Sequence, residues 1–490
     1  MLDRGRFPIF PLLLLVACHS TRPVSPAPLS RAAYAHYLAG KVGLYTDDPE
    51  AAVRELTLAA AAAPKQPMVA VELAKALTKA RREAAAKDVL ARTRADWPEH
   101  PEVALAWAQL LERMKDPGAA AAYDRVIELE PDDEQAYLGL ARVEPARDAE
   151  ATLRRLVERV PGSVDGHYRL AQRMLDRHDL AASERELRAV LEHDPDHIDA
   201  RVDLARTLRK QGKLAEAIEQ MRSAFDRAGQ PLDVAEELFW LLAEADDLQG
   251  AIDLLTLLDD DRSDTDALAT VARLEIQLGR VDIAAAIAKH TGGELEKMIN
   301  LAIDVAHRDL AAAERDAEGF AQLAPQARSL LFEARLEAGK LDEARSMVQA
   351  NEPIALARAT ADKAEALAIV ERVLRTHPDN VLALNLAGFL LADTKQRLRD
   401  AEVYLRKARA LSPGDPAVLD SWGWLLYQRG DARAATDVLE HAARFAPLEP
   451  EILVHLAVAS GRKEPLDRAA ALHPSPDLQR RIDELRKVIR

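Results

Sequence analysis

The sequence predicts an all-α protein built as a solenoid of stacked helix–turn–helix pairs. Composition is the first observation that predicts it. Apolar residues make up 48% of the 490, yet aromatics supply only 4%. Ala, Leu and Val must therefore build the core, and alanine is both the best helix former and small enough to let two helices cross closely. Periodicity is the second. Pro64 and Pro98, Pro161 and Pro195, and Pro413 and Pro447 are each 34 residues apart, and Pro98 to Pro131 is 33. Ala52 and Ala86, Ala217 and Ala251, and Ala401 and Ala435 repeat the same 34-residue step. A proline that stops a helix and a small residue that lets helices touch, both on one period, describe one unit copied along the chain.

Along the chain, residues 1–17 read as an export signal. Arg4 and Arg6 give a positive start, and the apolar run from Phe7 to Ala17 is too short to cross a bilayer as a helix. The stretch Leu15-Val16-Ala17-Cys18 resembles the lipobox of bacterial lipoproteins, and Cys18 is the sole cysteine. The resemblance implies a diacylglyceryl group on the Cys18 thiol, cleavage before it, and acylation of the new amine. Two or three acyl chains anchor durably where one is marginal. His19, rather than Asp, follows Cys18, which by the same analogy implies the bacterial outer membrane with the body facing the periplasm. Residues 18–32 hold the lipidated cysteine and a Pro/Ser-rich linker, STRPVSPAPLS over residues 20–30.

Repeat quality divides the remainder. Residues 33–231 read as N-terminal repeats, 232–378 as degenerate ones and 379–474 as C-terminal ones. Residues 475–490 read as a capping helix, with Ser475 to cap it, Pro476 in its first turn and basic residues in its last. The unit 414–447, GDPAVLDSWGWLLYQRGDARAATDVLEHAARFAP, is the clearest. It resembles the tetratricopeptide repeat (TPR) family: Trp422 and Gly423 form the bulky–small pair of the first helix. Gly430 makes the turn, Ala435, Leu439 and Ala442 fall at the small–large–small places of the second helix, and Pro447 closes the unit. The resemblance implies a right-handed superhelix of about twelve to fourteen pairs, because a single pair cannot bury its apolar face alone. Short units are expected near 133–161 and 326–353, and 354–378 shows a good second helix but a poor first one.

The formal charge of −15 disfavours nucleic acid, which needs a basic footprint. No phosphate-binding glycine loop and no nucleophile elbow is present. His193 and His197 are split by Pro195, and the acidic run Asp259–Asp266 lacks the glycine and glutamate of a calcium loop. Catalytic residues, metal, cofactor and small-molecule substrate are therefore not expected. The expected activity is protein binding on the concave face lined by first helices. There the resemblance implies that Asn385, Phe389, Asp420, Trp424 and Tyr427 form one polar–aromatic patch; packing of Trp424 and Phe389 against neighbouring helices is the alternative. Arg206, Arg209 and Lys210 form a second candidate, for an acidic tail, with salt bridging on a solvated face as its alternative.

The block 378–430 also resembles the C-terminal repeats of proteobacterial outer-membrane adaptor lipoproteins, including one that binds and activates a carboxyl-terminal processing protease. This implies a membrane-anchored adaptor for envelope proteins or peptides, in protease recruitment or in a secretion, motility or export assembly. A cell-wall glycan hydrolase and a self-assembling scaffold are the competing classes.

Overall fold

The computed structural model describes residues 28–259, 265–318, 320 and 325–489. Among the described residues there are 29 α-helices and no strand, arranged as fourteen successive hairpin pairs and a last single helix. This is the expected all-α solenoid of tetratricopeptide-like pairs. Cys18 and the export signal lie outside the described residues, as do residues 260–264 of the acidic run.

The hairpin Pro416–Gln428 with Ala432–Phe445 shows why the sequence folds this way. Asp415 accepts from the N–H groups of Ala417 (2.8 Å) and Val418 (3.4 Å), and Pro416 occupies the first turn where no N–H is needed. Gly430 ends the helix with φ at +91°, a backbone that glycine adopts without a Cβ clash. Asp431 caps the second helix on Ala434 N–H at 3.1 Å. Ala435, Leu439 and Ala442 recur at helical spacing and are fully buried on one face. Gly423 is where the two helices meet: a Cβ there would stand 2.6 Å from Leu439 Cγ. The preceding hairpin repeats the device, with Gly388 against Leu405.

The described residues gather into two compact units, divided between Pro195 and Asp196. The division falls at Pro195, whereas the segments read from repeat quality change at 231 and 378. The first unit holds five hairpins, from Arg31–Tyr45 with Pro49–Ala62 to Val164–Asp176 with Leu180–His193. Their core includes Leu56, Leu77, Leu90, Tyr123, Leu140 and Leu156. The second unit runs from Ile198–Lys210 to the closing helix Pro476–Val488. Its core includes Leu405, Leu425, Leu439, Leu453 and Ile482. Two of its helices are only six residues long, Leu341–Ser346 and Pro353–Arg358, in the stretch where the repeat signature weakens. Ser475 caps the closing helix through Leu478 N–H at 3.3 Å.

The second unit also meets itself. Turns at residues 243–247, 277–280 and 306–309 touch the hairpin 414–449 along one seam. The Nε2–H of His441 donates to the Ala243 carbonyl (2.6 Å), and Arg444 forms a two-pronged pair with Asp246. Gln277 donates to the Phe445 carbonyl at 3.1 Å. Arg308 donates to the Leu448 carbonyl (2.6 Å) and to Glu449 (2.8 Å). Asp246 and Arg308 both hold left-handed backbone, each with φ +59°. Equivalent turns use Gly212, Gly339 and Gly430 at positive φ. Other turns of the chain hold the same backbone with non-glycine residues, Arg81, Lys115 and His178 among them.

Candidate functional site

First helices of the second unit, together with the turns between hairpins, line an open-sided cavity of about 930 Å³. Pro353–Arg358, Val381–Asp393, Pro416–Gln428 and Pro450–Ser460 all contribute, and Trp240 and Gln277 reach it from the far side of the seam. Asn385, Phe389 and Asp420 line it, with Phe332, Ile354, Leu382 and Ile452 as apolar wall. Asn385 is half-buried. Its Nδ2 donates to the Ala417 carbonyl at 3.4 Å, while its Oδ1 is buried with no hydrogen-bond partner in the protein.

The cavity wall is acidic. Glu333, Glu352, Asp415, Asp420, Glu449 and Glu451 line it, against Arg358 and His377. Three of these carboxylates are paired with arginine: Glu333 with Arg358, Glu352 with Arg328, and Glu449 with Arg308. Burial pushes the Asp415 carboxyl above its ordinary range, against the two helix N–H groups it accepts from. Burial likewise raises Glu449, and the charges of Glu451 and Asp420 add to this while Arg308 opposes it. Both shifts are led by burial, which penalises the charged form.

Trp424 and Tyr427 lie behind the wall rather than in it. Trp424 is only 4% exposed. One face of its ring stacks on His455, with centroids 4.2 Å apart, and Tyr427 stacks with it at 5.3 Å. Its Nε1–H donates to Asp393 at 3.2 Å, and the Arg481 guanidinium of the closing helix sits 5.3 Å from the ring. Asp420 in turn accepts from His455 Nδ1–H at 2.8 Å. The five patch residues are thus brought together, but as a layered set. Asn385, Phe389 and Asp420 face the cavity, and Trp424 and Tyr427 brace them from behind. Burial acts to raise Asp393, but the hydrogen bond and charge of Lys363 outweigh it, so its carboxyl stays below the ordinary range.

His455 and Asp393 belong to this network and were not singled out from the sequence. Each lies about one repeat from its partner, His455 35 residues after Asp420 and Asp393 31 residues before Trp424. Polar residues separated by one period on successive first helices are the signal that would have found them.

The basic triplet is placed differently. Arg206 pairs with Glu237, and Arg209 pairs with Glu244 at 2.6 Å, both on the next first helix Leu232–Glu244. Lys210 is exposed. The two arginines face carboxylates of their own unit, which is the salt-bridged alternative. Among the described residues, no group of three or more His, Cys, Asp or Glu is placed to hold a metal. No described helix is long and apolar enough to cross a membrane.

Comparison with known proteins agrees with this architecture. A family model described as tetratricopeptide repeat matches residues 174–235. A TPR repeat-containing protein of Pseudomonas aeruginosa is 40% identical over 100 residues, which is 20% of this chain and 17% of the relative. The chain thus spans about a sixth of that relative's length. Among solved structures, the APC/C hetero-tetramer Cut9–Hcn1 is similar over 93% of this chain and 90% of its own, at 14% identity and a TM-score of 0.40. PilW, a type IV pilus biogenesis factor, is similar over 40% of this chain and 93% of its own, at 16% identity and a TM-score of 0.31. Hairpin repeats run through both units and the family model matches residues 174–235, so the chain has the fold of a solenoid of tetratricopeptide-like helix pairs.

Proposed function

We propose that the chain is a non-catalytic scaffold, held to a bacterial outer membrane by acylated Cys18, that receives an extended segment of a partner protein in the cavity of its second unit. The observation that carries this reading is the cavity itself. Its volume of about 930 Å³ is in the range that encloses a ligand of a few residues. Its wall combines Phe389 and other apolar side chains with Asn385, whose amide is the group that pairs with both the N–H and the C=O of an extended backbone. The carboxylate excess adds selectivity: the segment carries lysine or arginine, because an acidic one would meet like charge in a partly desolvated site.

Short extended peptides labelled with a fluorophore test the reading. Peptides bearing Lys or Arg bind and acidic counterparts do not. Asn385→Ala and Glu451→Lys each weaken binding, and added salt weakens it further. Equal binding of basic and acidic peptides, or binding untouched by both substitutions, refutes it. For the tether, Cys18→Ser releases the body into the soluble periplasm; continued membrane association rules out Cys18 as the anchor. Protease recruitment and roles in secretion, motility or export assemblies are distinguished by which partner supplies the segment.

A further inference from the structure

The first hairpin shows a second surface. Helix Arg31–Tyr45 buries Ala33, Gly40 and Gly43 against its partner Pro49–Ala62. Its opposite side carries Tyr34, Leu38, Val42 and Tyr45, between 44% and 93% exposed. Their spacing puts them in a single stripe along the helix, and exposed Ala35 and Ala39 widen it. In every later hairpin of this unit, the first helix packs on the second helix of the hairpin before it. For Arg31–Tyr45 no hairpin precedes among the described residues, and the face is largely apolar, its charges being the basic Arg31 and Lys41.

We propose that this stripe lies on the bilayer surface, a lipid contact that orients the first unit on the membrane. The proposal rests on the acylation of Cys18 put forward above. Cys18 stands 13 residues before Arg31, a reach of at most about 45 Å when fully extended, so the acyl chains hold this end of the protein close to the headgroups. The helix has no Asp or Glu, in a chain that has 81 of them. A face without carboxylates is one that anionic headgroups do not repel. Tyr34 and Tyr45 lie near its two ends, and tyrosine suits the boundary between apolar and wet layers. A second copy of the chain is a poorer occupant. A 15-residue helix is about 22 Å long and offers roughly 200 Å² on one face, against about 800 Å² per partner in a stable interface.

The acylated full chain in vesicles tests this. With Cys18 acylated, Val42→Cys provides the sole free thiol for an environment-sensitive fluorophore, and Val403→Cys, at a position 66% exposed in the second unit, serves as the control. In phosphatidylethanolamine–phosphatidylglycerol vesicles with brominated acyl chains, the label at 42 is quenched several-fold more than the label at 403. Adding Leu38→Glu removes the excess while the protein still floats with the vesicles. Equal quenching at 42 and 403 in a floating protein overturns the contact and leaves the tether standing. A protein that does not float and takes a second label at Cys18 overturns tether and contact together. Self-quenching at 42 that depends on protein concentration and not on lipid assigns the stripe to a second copy and also overturns the proposal.

Discussion

Replacing Glu337 by glutamine is expected to make the seam region of the second unit more stable, increasingly so as pH rises. Glu337 is in the last turn of helix Pro325–Glu337, where the helix dipole disfavours a negative charge. Its side chain is 28% exposed, and Arg308 Nε stands 3.5 Å away, without hydrogen-bond geometry to the buried Oε2. Burial dominates, with the Glu449 and Glu333 charges adding to it and Arg308 opposing, and pushes the carboxyl from 4.5 up to about 8. The folded-state value thus lies above the unfolded one. Stability from this group is fully present below pH 4.5 and is lost as pH rises towards 8, at about 1.4 kcal/mol per pH unit. Glutamine has no proton to lose. The variant and parent therefore match near pH 4.5, and by pH 8.5 the variant is ahead by about 3–5 kcal/mol. Hydrogen-exchange mass spectrometry on peptides covering 325–337 and 446–449, from pH 5 to 8.5 and corrected for intrinsic exchange, reads the opening free energies. A difference that stays constant across this range refutes the assignment of a neutral, desolvated Glu337.

Four further outcomes follow from the packing. Gly423→Ala places a methyl 2.6 Å from Leu439 Cγ and is expected to lower the C-terminal unfolding free energy by about 1–3 kcal/mol, read by urea titration. Trp424→Ala removes a ring stacked on His455 and Tyr427 and costs about 3–5 kcal/mol in the same titration; a stable variant that has lost only binding would place the ring in the groove instead. In a double-mutant cycle, Arg444 and Asp246, both partly exposed, couple by less than about 1 kcal/mol. Arg308→Ala leaves Glu449 and the Leu448 carbonyl without their donor and costs about 1.5–3 kcal/mol, measured by the same hydrogen exchange at 446–449.

Much of the fold is written in short-range pattern. Gly388 and Gly423 mark where hairpin helices touch, and Pro416 with Asp415 marks where a helix begins, because each answers a local steric or hydrogen-bonding demand. The weak signature over 326–378 likewise corresponds to two six-residue helices. The seam is written nowhere in this way. Three of its acceptors are backbone carbonyls, of Ala243, Phe445 and Leu448, which any residue supplies, so no side-chain pattern announces them across 140 to 198 residues of separation. The period brings the five patch residues of the layered candidate set together, but neither their depth nor the membership of His455 and Asp393 was legible. Which of Phe389 and Trp424 faces the cavity depends on His455 of the next hairpin covering one indole face. The pairing of Arg206 and Arg209 depends equally on Glu237 and Glu244, a repeat away, and a reading confined to one hairpin misses it.

The seam has a consequence for how this chain can vary. An open array of repeats accepts one more unit or one fewer, since each unit answers only to its neighbours. Here Asp246 must meet Arg444, and Arg308 must meet Glu449. Every hairpin between those turns is a spacer whose number is set. Inserting or deleting one 34-residue unit between residues 248 and 413 would bring the wrong turn opposite the C-terminal hairpin. The same change before residue 195 meets no such condition. The second unit thus counts its repeats, and length variation among homologous chains should concentrate in the first.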